Sequence, residues 1–182
     1  MILKANFKFY KLRQVGNKDL DLLYKWRNHQ LIRSKMIDNN YIKYENHIKW
    51  FKQNKKTKNA ELLILMFKNK EIGFGSIHDI NKTNKTATWG MYLNPNLLNL
   101  SHGFYLEYLL INRMFNFHQI NKIYGHTLSN NKSVLKLHRF FLFKIEGILK
   151  KQIIRKGEDI DLIITSLFKK DWENSKISKI LT

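Results

Sequence analysis

Hydrophobic and polar positions change period several times along the chain, and each change marks an element. Residues 7–12 alternate apolar with basic side chains, the period-two pattern of a first strand. Asn17 and Asp19 then offer helix caps ahead of Leu20, Leu23, Tyr24, Trp26 and Ile32, which recur at helical spacing. A second helix is predicted over residues 44–53, with Ile48 and Phe51 on its inner face, and residues 52–59 read as a polar loop. Strand patterns follow at 62–67, 72–80 and 86–93, separated by turns at 69–70 and 81–84, as in an antiparallel meander. Leu106, Leu109, Leu110, Arg113, Met114 and Phe117 fit a helix, residues 122–128 a strand and 133–141 another helix. Residues 143–153 and 160–168 close the pattern as two strands. With no repeat or low-complexity boundary, one domain over residues 1–182 is expected.

Composition narrows the class. An apolar content of 43% is enough for a buried core, and no apolar run approaches the roughly 20 residues of a membrane span. Residues 1–10 interleave Lys with apolar side chains and lack a continuous apolar segment, so no signal peptide is expected and the cytoplasm is the expected compartment. The absence of cysteine removes disulfides, thiolate ligands and a cysteine nucleophile, and no His-rich spacing suggests a metal. The formal charge of +19 attracts anions in general. Its lysines are spread over the whole chain, and only 6 of the 33 basic residues are Arg, so no specific nucleic-acid partner is expected.

The element order is strand, two helices, three strands, helix, strand, helix, two strands. It predicts an α/β fold with a mixed, mostly antiparallel sheet of about seven strands and helices on both faces. This order resembles the GCN5-related N-acetyltransferases (the GNAT superfamily), and the resemblance covers nearly the whole chain. It implies acetyl-CoA as co-substrate, lying along a splayed strand at residues 86–93, with backbone N–H groups near Met91 and Leu93 polarising the thioester.

Three motifs carry the resemblance further. The segment from Asn94 to Gly103 joins a strand to a helix, where exposed amides suit a pyrophosphate. It is similar to the family's glycine-rich loop, with Leu98 and Ser101 standing at two key positions and Gly103 retained; Ser101, His102 and Gly103 are the implied cofactor contacts. A plain strand-to-helix connection has the same appearance. Asn131, Ser133, Leu137 and His138, followed by Phe143, Glu146 and Gly147, resemble the family's second motif at matching spacing. His138 stands for the usual Tyr and Leu142 for the usual Gly. The resemblance implies that Asn131 meets the CoA arm and that His138, as a protonated imidazole, serves the departing thiolate; a solvent-facing helix histidine is the other reading.

The third set is Trp26, Arg27, Asn28 and His29, then Met36, His47 and Trp50. It resembles the N-terminal segment of nucleotide-sugar N-acetyltransferases of the pseudaminic acid pathway. By that resemblance Arg27, His29, Met36, His47 and Trp50 line a substrate nucleotide's site, with Tyr92 facing the substrate. Arg27 and His47 are suited to a diphosphate and Trp50 to a uracil ring, while core packing is the other reading of Trp50. His126 falls where related sugar enzymes carry Glu, and Ser76 matches a family Ser near the amine. The attacking amine needs a proton acceptor, and His126 is the expected one.

The implied reaction is direct acetyl transfer to the 4-amino group of a UDP-amino sugar, UDP-4-amino-4,6-dideoxy-N-acetyl-β-L-altrosamine. A homodimer is compatible with this reading. Two alternatives stand: an acetyltransferase for a protein N-terminus, since Glu146-Gly147 and residues 161–172 also resemble ribosomal-protein enzymes, and a non-catalytic CoA-fold or nucleic-acid-binding module.

Overall fold

The computed structural model describes residues 7–179. Part of the segment argued against as a signal peptide, residues 1–6, lies outside them. Seven strands form one sheet in the order β1-β2-β3-β4-β5-β7-β6. They are β1 (Tyr10–Gln14), β2 (Glu61–Phe67), β3 (Lys70–Asn81), β4 (Thr86–Leu93), β5 (Lys122–Leu128), β6 (Lys144–Arg155) and β7 (Glu158–Phe168). All neighbours are antiparallel except β4 and β5, which run parallel.

The helices are α1 (Leu20–Asn28), α2 (Gln30–Arg33), α3 (Tyr44–Lys56), α4 (Leu100–Asn112), α5 (Lys132–Phe140) and α6 (Lys169–Glu173). Because side chains alternate along a strand, the two faces of the meander carry different cores. Leu62, Ile64, Met66 and Phe74 meet Leu23, Trp26 and Phe51 of α1 and α3 on one face. Leu63, Leu65, Ile77 and Ala87 meet Leu106, Leu110 and Ile111 of α4 on the other. Gly75 allows this second contact to be close, for a Cβ there would stand 2.9 Å from Leu110.

Several boundaries differ from the sequence reading. β1 starts at Tyr10 because Phe7 turns inward and stacks on Tyr105, 6.3 Å between centroids. α3 continues to Lys56, since its lysine-rich last turn contains good helix formers, and this shortens the expected loop. The helix expected around 106–117 starts at Leu100 and ends in a π-helical turn, Arg113–Phe117. α6 was not foreseen; it seats Trp172 in the core beside Phe141 and Tyr108. Leu142, standing where the resembled motif has Gly, adopts φ +68, a left-handed backbone that suits glycine.

Candidate active site

Only three residue pairs join β4 to β5: Thr86 with Lys122, Ala87 with Ile123 and Thr88 with Tyr124. Beyond them the strands part, and a cavity of about 700 Å³ opens in the wedge. Residues 89–93 of β4 and 125–128 of β5 wall it, joined by the start of α4, by α5 and by residues 35–38. Asn94 N–H donates to Ile72 O at 2.9 Å, and Ser76 Oγ donates to Gly90 O at 3.3 Å, so the even-numbered residues of β4 face β3. Antiparallel alternation therefore turns the N–H groups of Met91 and Leu93 toward the wedge, where β5 has moved out of pairing reach. Two unpaired donors beside an apolar cleft are suited to a carbonyl oxygen that gains charge.

His138 reaches this cavity from α5 and is 5% exposed. Its Nδ1 lies 3.3 Å from Thr165 Oγ1, and its Nε2 lies 3.5 Å from Oε1 of Glu107, a fully buried residue of α4. Trp89 and Phe143 surround the ring. Neither Glu107 oxygen makes a hydrogen bond. A charged pair at this distance would attract, but with so little polar support burial prevails. It pushes the Glu107 carboxyl well above the usual carboxylate range and the His138 imidazole down to about 4. His138 is therefore neutral near pH 7, which corrects the expectation of a standing imidazolium there, and burial favours the protonated form of Glu107.

Other expected residues also line the cavity. His126 lies exposed on the β5 wall, and Asn131 is buried at the start of α5, its Oδ1 accepting from Ser133 Oγ at 3.2 Å. Arg27, Met36 and Tyr92 line it as well. Arg27 Nη2 donates to Asp38 O at 2.8 Å, while its buried Nη1 has no partner. Burial lowers the guanidinium pKa and raises that of the neighbouring Tyr92 phenol.

Six expected residues do not line it. His47 donates from Nε2 to Leu20 O at 3.1 Å and stacks on Trp50 at 5.3 Å; Trp50 in turn packs edge-on against Phe74. Three residues apart on α3, these two rings face α1 and the sheet, so of Arg27, His47 and Trp50 only Arg27 reaches the cavity. Burial also lowers the His47 pKa, which removes it as a charge for a diphosphate. His29 caps α2, its Nδ1 accepting from Leu31 N–H. Ser76 is buried one strand away, 2.8 Å from His78 Nε2. His102 turns back to the Tyr10 hydroxyl at 2.7 Å, and the Ser101 amide donates to Asn99 Oδ1 at 2.8 Å. Gly103 does line the cavity, yet its amide also donates to Asn99, at the backbone oxygen. Asn99, the cap of α4, thus satisfies two amides that the sequence reading assigned to a pyrophosphate.

Two residues were missed. Glu107 was recognisable as the one acid in α4, set within a mostly apolar stretch, and His78 as the same-face neighbour of Ser76 on β3. Among the described residues no group of three or more His, Cys, Asp or Glu side chains could hold a metal ion. Nor is any described helix long and apolar enough to cross a membrane.

Residues 10–140 match the family model described as the acetyltransferase (GNAT) domain. The chain belongs to the GNAT family. It is accordingly an N-acetyltransferase that uses acetyl-CoA, and the parted strands with the outward Met91 and Leu93 amides fit that co-substrate. Among GNAT relatives, acetyltransferase PseH of Campylobacter jejuni subsp. jejuni serotype O:23/36 (strain 81-176) is 26% identical over 132 residues, 72% of this chain and 81% of that protein. PseH of C. jejuni serotype O:2 is 24% identical over 136 residues. The solved structure of Vibrio cholerae spermidine N-acetyltransferase with CoA and spermine superposes with a TM-score of 0.86 at 17% identity, covering 92% of this chain and 99% of that one. The likeness to that structure is one of GNAT fold.

Proposed function

We propose that this GNAT enzyme acetylates the amine of a nucleotide-linked amino sugar, the UDP-4-amino sugar of the pseudaminic acid pathway being the candidate. The observation that carries the reading is the charge of the cavity. Arg27 and Lys35 line it, Asp38 is the only carboxylate that does so among the described residues, and Arg27 keeps a donor without a partner. That environment suits a diphosphate and disfavours a polyamine, which needs several carboxylates. The likeness to the two PseH proteins supports the same choice.

In this reading the amine attacks the thioester carbonyl, the C–S bond breaks, and the Met91 and Leu93 amides take the oxygen's charge. His126, exposed on the β5 wall, accepts the amine proton directly or through water. The departing thiolate takes up the proton that His126 removed from the amine, returned through water, so the step balances, and the neutral His138 shapes the cavity wall beside it. Thiol release from acetyl-CoA is the test, with the UDP-4-amino sugar and spermidine offered in parallel. Turnover of the sugar alone is expected; turnover of spermidine alone ends the proposal.

A further inference from the structure

The segment that follows α2 supplies Lys35, Met36, Ile37 and Asp38 to the cavity wall, yet it has no regular secondary structure of its own. Two arginines hold it. Arg155, the last residue of β6 and more than a hundred positions away in sequence, donates from Nη1 to Ser34 O at 2.8 Å and from Nη2 to Ile37 O at 2.9 Å. The same Nη2 also donates to Met36 O. Arg27 holds the next carbonyl, that of Asp38. The wall is therefore fixed through backbone oxygens, which any sequence would present, by a planar fork that lysine cannot reproduce.

From this arrangement we propose that Arg155 is a positioning residue for the acceptor. By tying the tip of the β6–β7 hairpin to residues 34–37, it sets where Met36 and Ile37 stand against the bound amine. Arg155 does not itself line the cavity, so its effect passes through the segment it holds. The proposal rests on the reading that this wall receives the acceptor. It concerns binding and not chemistry, because the cofactor wedge between β4 and β5 makes no use of Arg155. Loss of the fork should weaken acceptor binding in ground and transition state alike, raising KM with kcat little changed.

The test uses the full chain with Arg155→Met and Arg155→Lys. In the free protein, hydrogen exchange of the amides at 34–38 is expected to quicken in Arg155→Met while the sheet amides stay as in wild type. KM for the UDP-4-amino sugar should rise about tenfold, acetyl-CoA affinity by calorimetry should stay within about twofold, and Arg155→Lys should recover part of the loss. Unchanged exchange at 34–38, or an equal loss of acetyl-CoA affinity, would overturn the proposal. If wild type acetylates spermidine and not the sugar, the functional reading fails on its own. The Arg155 proposal is then judged by the same KM split with spermidine, and an unchanged KM for spermidine sinks it.

Discussion

His138 gives the sharpest quantitative test, because its imidazole is held neutral by burial against Glu107, Thr165, Trp89 and Phe143. Its pKa falls from 6.5 to about 4 on folding. A depressed histidine favours folding above pH 6.5; as pH falls, the unfolded chain takes up the proton first and stability is lost until the folded pKa is reached. With these two pKa values, linkage gives a loss of about 2 kcal/mol between pH 7 and pH 4.5. His138→Phe removes this dependence. The upward shift of the Glu107 carboxyl comes from burial and not from His138, so its own titration is common to both proteins. Urea denaturation of wild type and His138→Phe at pH 7, 6, 5 and 4.5 should therefore show a gap that shifts by about 2 kcal/mol in favour of the variant toward acid. A gap that stays flat across the series would show that the ring is charged or solvated, and the neutral-pair argument would fall.

Glu107→Leu should stabilise the protein at pH 7 by about 1–3 kcal/mol, because it removes a buried carboxyl without hydrogen bonds. The gain should grow as pH rises above 4.5, where only the unfolded wild type sheds its proton; a lower melting temperature for the variant contradicts this. Leu142→Gly should raise stability by about 0.5–1 kcal/mol in chemical denaturation, since it relieves a left-handed backbone at a residue 41% exposed, and destabilisation would refute the strain. His126→Ala should lower kcat by about a hundredfold and leave acetyl-CoA affinity unchanged in calorimetry, whereas full turnover removes His126 as the base.

The fold was readable because its signals are local. The short apolar run at residues 62–67, the strand pattern at 86–93 and helical spacing through Leu106, Leu110 and Met114 survive any tertiary arrangement. The wedge was inferred from resemblance and then found in the three-pair junction of β4 and β5. The site was less readable, because periodicity says which side of an element is buried but not what covers it. His47 and Trp50 have the residue types of a nucleotide site, yet each satisfies the other on the inner side of α3. Ser101 and Gly103 have amides of the right kind, but Asn99, only two positions before Ser101, takes both. Arg155 carried no local sign at all, since its partners lie more than a hundred residues upstream.

The three-pair junction also has a mechanical meaning. The sheet behaves as two ladders, one of four strands and one of three, fastened at a single end with the remaining rungs missing. An acetyl-CoA arm held in the gap would meet the outward amides of Met91 and Leu93 and stand in for the missing rungs. Strain imposed on either half passes to the other chiefly through that fastening when the gap is open, and along its whole length once it is filled.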